Sequence, residues 1–69
     1  MSEEEEIKKI INQAYVSHNK EFQKQAIDTA ARYGKTAITH LLDLNNQVAD
    51  DEIRQYIMTK VQEIKTKNP

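Results

Sequence analysis

The only glycine in the chain, Gly34, stands between two segments in which apolar residues have helical spacing. The segment before it carries Phe22, Ala26, Ala30 and Tyr33. The segment after it carries Ala37, Ile38, Leu41, Leu42 and Leu44. Each pattern predicts an amphipathic helix with one buried face. Glycine enters the left-handed region without a Cβ clash, so Gly34 is predicted to be the turn of a helical hairpin.

The remainder of the chain extends this pattern to four helices. We predict helices near residues 3–17, 20–33, 35–47 and 51–66. Ser2 with Glu5 has capping-box spacing, while Asn19 and Asp50 are suitable N-caps. Nothing in the sequence alternates as a half-buried strand would. Short connections favour antiparallel neighbours, so the predicted fold is all-α, with four short helices stacked as antiparallel hairpins in one domain of residues 1–69.

The apolar stripes of the first and last helices identify residues expected in the core. Helix 1 is expected to bury Ile7, Ile10, Ile11, Ala14 and Tyr15. Helix 4 is expected to bury Ile53, Ile57, Val61 and Ile64, with Tyr56 and Met58 at the edges of the stripe. Helix 2 carries small alanines that let neighbours approach closely, so it is expected to lie centrally.

When the sequence from Ile7 onward is aligned with the sequence from Ile38 onward, the apolar positions coincide without a gap. The offset between the two stretches is 31 residues. The predicted caps coincide as well, Asn19 with Asp50. This pattern predicts an internal repeat of residues 7–37 and 38–68, as stacked helical units produce. Two unrelated helical hairpins with loops of equal length would also align in part.

Two segments resemble parts of a short HEAT-like helical repeat. The first helix of such a repeat is similar to Asp50–Arg54 followed by Ile57, Val61 and Ile64. Its turn and second helix are similar to Gly34–Ile38 with Leu41 and Leu42. The chain departs from the family pattern at Gln23, where arginine would stand, and at Lys20 and Asp51, where proline is usual. The resemblance implies a binding scaffold of about two units.

In helical-repeat scaffolds the second helices of successive units line one face. Here that face is the outer side of helices 1 and 3, where we expect a partner to bind. At 100° per residue, the positions opposite the buried stripes are Lys9, Asn12, Val16, Thr36, His40, Asp43 and Gln47. Val16 is expected to be exposed in the middle of this polar face, although single exposed apolar residues are common.

A chain of 69 residues has a thin core, since a domain of this size buries only about 60% of the surface of its unfolded chain. It has no cysteine with which to form a disulfide. We therefore expect self-association or tight pairing with another protein. The apolar residues expected to be exposed for this contact are Leu44, Val48, Tyr56 and Met58.

Charge and motifs favour a non-enzymatic interaction module or regulatory binder over other classes of function. The net charge of −1 and mixed signs do not resemble a nucleic-acid footprint. His40 and Asp43 have the spacing of two metal ligands, but no third ligand lies near them in sequence. We expect no metal, cofactor or catalytic site. No apolar run approaches a membrane span of about 18 residues, and the acidic start is unlike a signal peptide, so a cytoplasmic location is expected.

The alternative interpretation is a DNA-binding regulator with a helix-turn-helix at residues 26–44. Helix 3 would then enter the major groove. Its potential cations are only Lys35 and His40. Because phosphate contacts dominate DNA affinity, so few cations make this alternative the weaker one.

Overall fold

The computed structural model describes residues 2–67, which form four α-helices and no strand. The helices are α1 (Glu3–Val16), α2 (Lys20–Ala31), α3 (Lys35–Gln47) and α4 (Asp51–Lys67). The all-α prediction is confirmed, and the predicted helix ends lie within two residues of those observed. The largest difference is at the end of α2, which stops before the turn at residues 32–34.

Three helices begin with a side-chain cap, as the sequence predicts. The Ser2 hydroxyl accepts a hydrogen bond of 3.3 Å from the amide three residues later. The Asn19 side-chain oxygen accepts a hydrogen bond of 2.9 Å from the amide of Phe22, also three residues later. The Asp50 carboxylate accepts bonds of 2.9 and 3.2 Å from the amides two and three residues later. These caps satisfy amides that have no partner within their own helix.

The α2–α3 turn depends on Gly34, which has φ 76° and ψ −141°. The positive φ confirms the predicted turn, but the ψ value differs from that of the left-handed helical region. Gly34 instead occupies a region that glycine alone adopts readily, and it stands at the N-cap position of α3 without a side-chain cap. A Cβ added there would meet no atom within 4 Å, so the requirement for glycine is conformational.

The helices form two hairpins, α1–α2 and α3–α4, which pack side by side. Helix α1 packs against α3, and α2 packs against both α3 and α4. The Gln23 side-chain amide ties the start of α2 to the end of α1 by donating to the carbonyls of Ala14 and Ser17. Lys20 pairs with Asp50 near the start of α4, and contacts continue along both helices, so α2 and α4 run parallel.

The core of the described part of the chain is entirely apolar. Its buried residues are Ile7, Ala14, Ala26, Ile27, Ala30, Ala37, Leu41, Leu44, Ile53, Ile57, Val61 and Ile64. The predicted stripe of α4 is confirmed at all four positions. The central place of α2 is confirmed too, because it contacts each of the other helices and buries two alanines.

The predicted burial is wrong for three apolar residues. Tyr15 and Phe22 were expected in the core, yet they are 51% and 44% exposed. The buried face of α2 is rotated toward α4, so that Ile27 fills the core and Phe22 lies at the open edge of the α1–α2 hairpin. Leu44 was expected to be available for self-association, but it is only 1% exposed because it continues the buried stripe of α3.

Candidate interaction surfaces

Polar side chains join α2 to α4 along the solvent side of their contact. We call this set the α2–α4 ladder: Lys20, Lys24, Asp28, Asp50, Glu52, Tyr56 and Lys60. At one end, the Lys20 ammonium lies 3.1 Å from Asp50 and 3.3 Å from Glu52. Lys24 lies 2.6 Å from the second oxygen of Glu52.

Tyr56 is the centre of the α2–α4 ladder. Its hydroxyl donates a hydrogen bond of 2.7 Å to Asp28, which also lies 3.0 Å from the Lys60 ammonium. The ammonium groups of Lys24 and Lys60 lie 5.7 and 5.5 Å from the centre of the tyrosine ring. At these distances the negative face of the ring attracts both cations. The charged groups of the ladder are therefore paired with one another on the surface.

The ladder shifts the titration of its members in the directions that such pairing requires. Partial burial opposes the charged form of Asp28, but hydrogen bonds from Tyr56 and Lys60 outweigh it and lower its pKa. Hydrogen bonds from Lys24 and Lys20 lower the pKa of Glu52. The hydrogen bond to Asp28 raises the pKa of Tyr56. Each shift follows from pairing within the ladder.

Three large apolar side chains are exposed around the α1–α2 turn. We call Tyr15, Val16 and Phe22 the hairpin tip. Val16 is 59% exposed, which confirms its predicted orientation. A groove of about 170 Å³ adjoins Phe22 and is also lined by Ile10 and Ala26, together with three polar residues, Gln13, Gln25 and Thr29. The hairpin tip therefore combines exposed apolar side chains with a small groove of mixed apolar and polar lining.

The residues predicted to contact a partner on the outer side of helices 1 and 3 are exposed at every position except one. The exposed members are Lys9, Asn12, Val16, Thr36, Asp43 and Gln47. His40 was expected on the outer side of α3, but its side chain is only 14% exposed and its Nε2 atom lies 3.5 Å from Glu4 of α1. The correction follows from packing, since α1 covers the side of α3 on which this histidine lies.

An open groove of about 860 Å³ runs along the outer side of α4, and we call it the α4 groove. Its α4 residues fall on two rows with a spacing of four. The first row contains Asp51, Gln55, Thr59, Glu63 and Lys67. The second row contains Arg54, Met58, Gln62 and Thr66. Asn45 of α3 completes the lining, and its buried side-chain oxygen has no hydrogen-bond partner within residues 2–67.

The residues predicted for self-association have different surroundings. Met58 is 36% exposed and lies in the α4 groove. Val48 and Tyr56 are half-buried, and the tyrosine belongs to the α2–α4 ladder. Leu44 is in the core. Among these four residues, Met58 is the one most available to a second molecule.

Sequence reasoning missed the ladder and two residues of the hairpin tip. The ladder has a recognisable signal, because Lys20, Lys24 and Asp28 are four residues apart on α2 and meet a similar row on α4. Tyr15 and Phe22 carry no comparable signal, since both continue an apolar helical stripe.

Within residues 2–67, no group of three or more histidine, aspartate or glutamate side chains is arranged to hold a metal ion. Across the same residues, the helices lack the combination of length and apolar character that a membrane span needs. Comparison with protein-family models, curated proteins and solved structures gives no match for this chain.

Proposed function

We propose that this protein is a small non-enzymatic helical module that binds another protein. The observation that carries the proposal is the hairpin tip, where Tyr15, Val16 and Phe22 are 51%, 59% and 44% exposed. Aromatic residues are enriched in protein interfaces, where each adds a large contact area. Exposed apolar residues that lie together mark interaction sites more strongly than residues scattered singly.

The polar residues beside the hairpin tip fit the rim of such an interface. Lys9 and Asn12 are exposed on α1, on the side of the helix that also carries Val16. A typical interface surrounds an apolar centre with polar residues that remain partly hydrated. We therefore assign the binding surface to the hairpin tip and the adjoining polar side of α1.

The disposition of titratable groups supports a non-enzymatic role. The carboxylates with lowered pKa values, Asp28, Asp50 and Glu52, are all held by ladder lysines or backbone amides. The hairpin tip itself contains no acid, base or nucleophile other than the hydroxyl of Tyr15. Binding through apolar area needs none of these groups.

Site-specific photo-crosslinking in cells that naturally produce the protein tests the proposal. A photoreactive residue at position 16 should crosslink to one protein partner, whereas the same residue at Thr36 should not. Phe22→Glu should abolish this crosslink while leaving the melting temperature within a few degrees, because the side chain is exposed and an acidic residue suits the first turn of a helix.

Thr36→Glu is the matched control, since it adds the same charge at an exposed position in the first turn of α3, outside the hairpin tip and its groove. This variant should keep the crosslink. Equal crosslinking by the parent and by Phe22→Glu would contradict the proposed surface. Crosslinking to nucleic acid in place of protein would contradict the proposed class of partner.

A further inference from the structure

The two end residues of the first row of the α4 groove have opposite charges and lie at equal distances from its midpoint. Thr59 is the middle residue, with Gln55 and Glu63 four residues away and Asp51 and Lys67 eight residues away. If a second α4 crosses the first antiparallel, with Thr59 facing Thr59, Asp51 of each copy lies opposite Lys67 of the other. Gln55 then lies opposite Glu63, whose carboxylate can accept a hydrogen bond from the glutamine amide. In this arrangement the end charges of one copy are complementary to those of the other.

The charges at the two ends of this row are free to make such contacts. Asp51 and Lys67 have no ion-pair partner within residues 2–67, and neither has Arg54 in the second row. Elsewhere on α4 the charges are paired: Glu52 and Lys60 belong to the ladder, and Glu63 of the first row lies 3.5 Å from the Lys60 ammonium. Charges of opposite sign that meet across an interface fix its orientation and its register.

The second row supplies the apolar contact. Met58 is 36% exposed and is the neighbour of Thr59, so the two Met58 side chains of an antiparallel pair lie close to the two-fold axis. Methionine adapts to irregular surfaces better than other apolar residues. Rows with a spacing of four are inclined to the helix axis, and aligning them makes two helices cross at about 50°, the commonest packing class.

We propose that this chain forms a reversible two-fold dimer in which the α4 grooves of two copies pack antiparallel. The contact is modest, because α4 has 17 residues and is about 25 Å long. A single pair of such helices falls at the low end of interface sizes, below about 1,200 Å². The dimer therefore forms at micromolar concentrations or above, and its symmetric contact leaves the hairpin tip free for another partner.

Charge exchange across the pair gives the first test, measured by sedimentation velocity from micromolar to millimolar concentrations. Asp51→Lys and Lys67→Asp each place like charges opposite one another, so each variant alone should sediment as a monomer where the parent is dimeric. An equal mixture of the two variants should restore the dimer, since each supplies the charges that the other lacks. Glu21→Lys is the matched control, because it makes the same charge change in the first turn of α2, outside the groove, and it should dimerise like the parent.

Disulfide trapping gives a second test that does not alter charge, and the absence of native cysteine makes it specific. Thr59→Cys should form a disulfide dimer under mild oxidation because this position lies at the two-fold axis. Thr66→Cys should not, since two such positions would lie about 21 Å apart along an antiparallel pair, beyond the reach of a disulfide.

Three results would overturn the proposed dimer. The first is a parent that remains monomeric across the whole concentration range. The second is a mixture of Asp51→Lys and Lys67→Asp that remains monomeric. The third is equal disulfide yield at positions 59 and 66, which indicates a parallel or non-specific contact.

Discussion

Leu41→Ala should strongly destabilise the protein, because Leu41 has no exposed surface and lies on the central stripe of α3. The substitution removes three carbon atoms from the core, which costs about 2.4 kcal/mol in transfer free energy at about 0.8 kcal/mol per methylene. A residual cavity adds to this, and buried Leu→Ala substitutions cost about 2 to 5 kcal/mol in total. We expect a loss of about 3 kcal/mol, because a small core relaxes partly around the cavity.

The loss is large relative to the stability available to a chain of 69 residues, which is roughly 3 to 10 kcal/mol. It corresponds to a fall in melting temperature of about 12 to 24 °C for a domain of this size. Urea unfolding followed by circular dichroism measures the loss directly. Alanine is the better helix former, so intrinsic helix propensity does not contribute to the expected destabilisation.

Leu42→Ala is the matched control. It makes the same chemical change one residue later, at a half-buried position beside the core. Its cost should be no more than about half that of Leu41→Ala, because less apolar area returns to water. A Leu41→Ala protein that melts within two degrees of the parent would refute the packing of α3, and so would equal losses for the two variants.

Three further predictions concern the turn, the ladder and the alternative function. Gly34→Ala should lower the free energy of unfolding by roughly 1 to 3 kcal/mol, because alanine is strained at φ 76° even in open space; an unchanged urea midpoint would contradict the observed turn. The pKa of Asp28 is lower than its ordinary value of 3.8, so its stabilisation is present at neutral pH and is lost as the pH falls below about 4. Asp28→Asn should therefore lose less stability than the parent between neutral and acidic pH, and parallel pH profiles would argue against the ladder. Labelled duplex DNA should not bind at physiological salt, because α3 exposes Lys35 together with the carboxylate of Asp43; submicromolar, salt-dependent binding would restore the helix-turn-helix alternative.

Local sequence chemistry was sufficient to predict the elements of this fold. The caps at Ser2, Asn19 and Asp50 act within three residues of themselves, so the spacing alone identifies them. The stripe of α4 is equally readable, because its four apolar residues recur at spacings of four, four and three on one face, with Tyr56 and Met58 only at its edges. A positive φ at Gly34 follows from the absence of a side chain.

The rotation of each helix about its own axis depends on its neighbours, and the sequence does not specify it. Helix α2 offers two overlapping apolar faces, one through Phe22 and one through Ile27. Contact with α4 selects the face that contains Ile27. His40 was misassigned for the same reason, since the side of α3 that meets α1 is determined by packing. Candidate surfaces are therefore harder to predict than helices, because a small rotation moves a residue between core and solvent.

The α2–α4 ladder also affects the lifetime of the folded state. Its contacts join residues 28 to 32 positions apart, such as Asp28 with Tyr56 and Lys20 with Glu52. The contacts within each hairpin involve shorter loops, whose closure costs less entropy, so they form earlier in folding. Interactions that form after the folding transition state chiefly slow unfolding. Weakening the ladder should therefore increase the rate of unfolding, in which the two hairpins separate. It should leave the rate of folding almost unchanged.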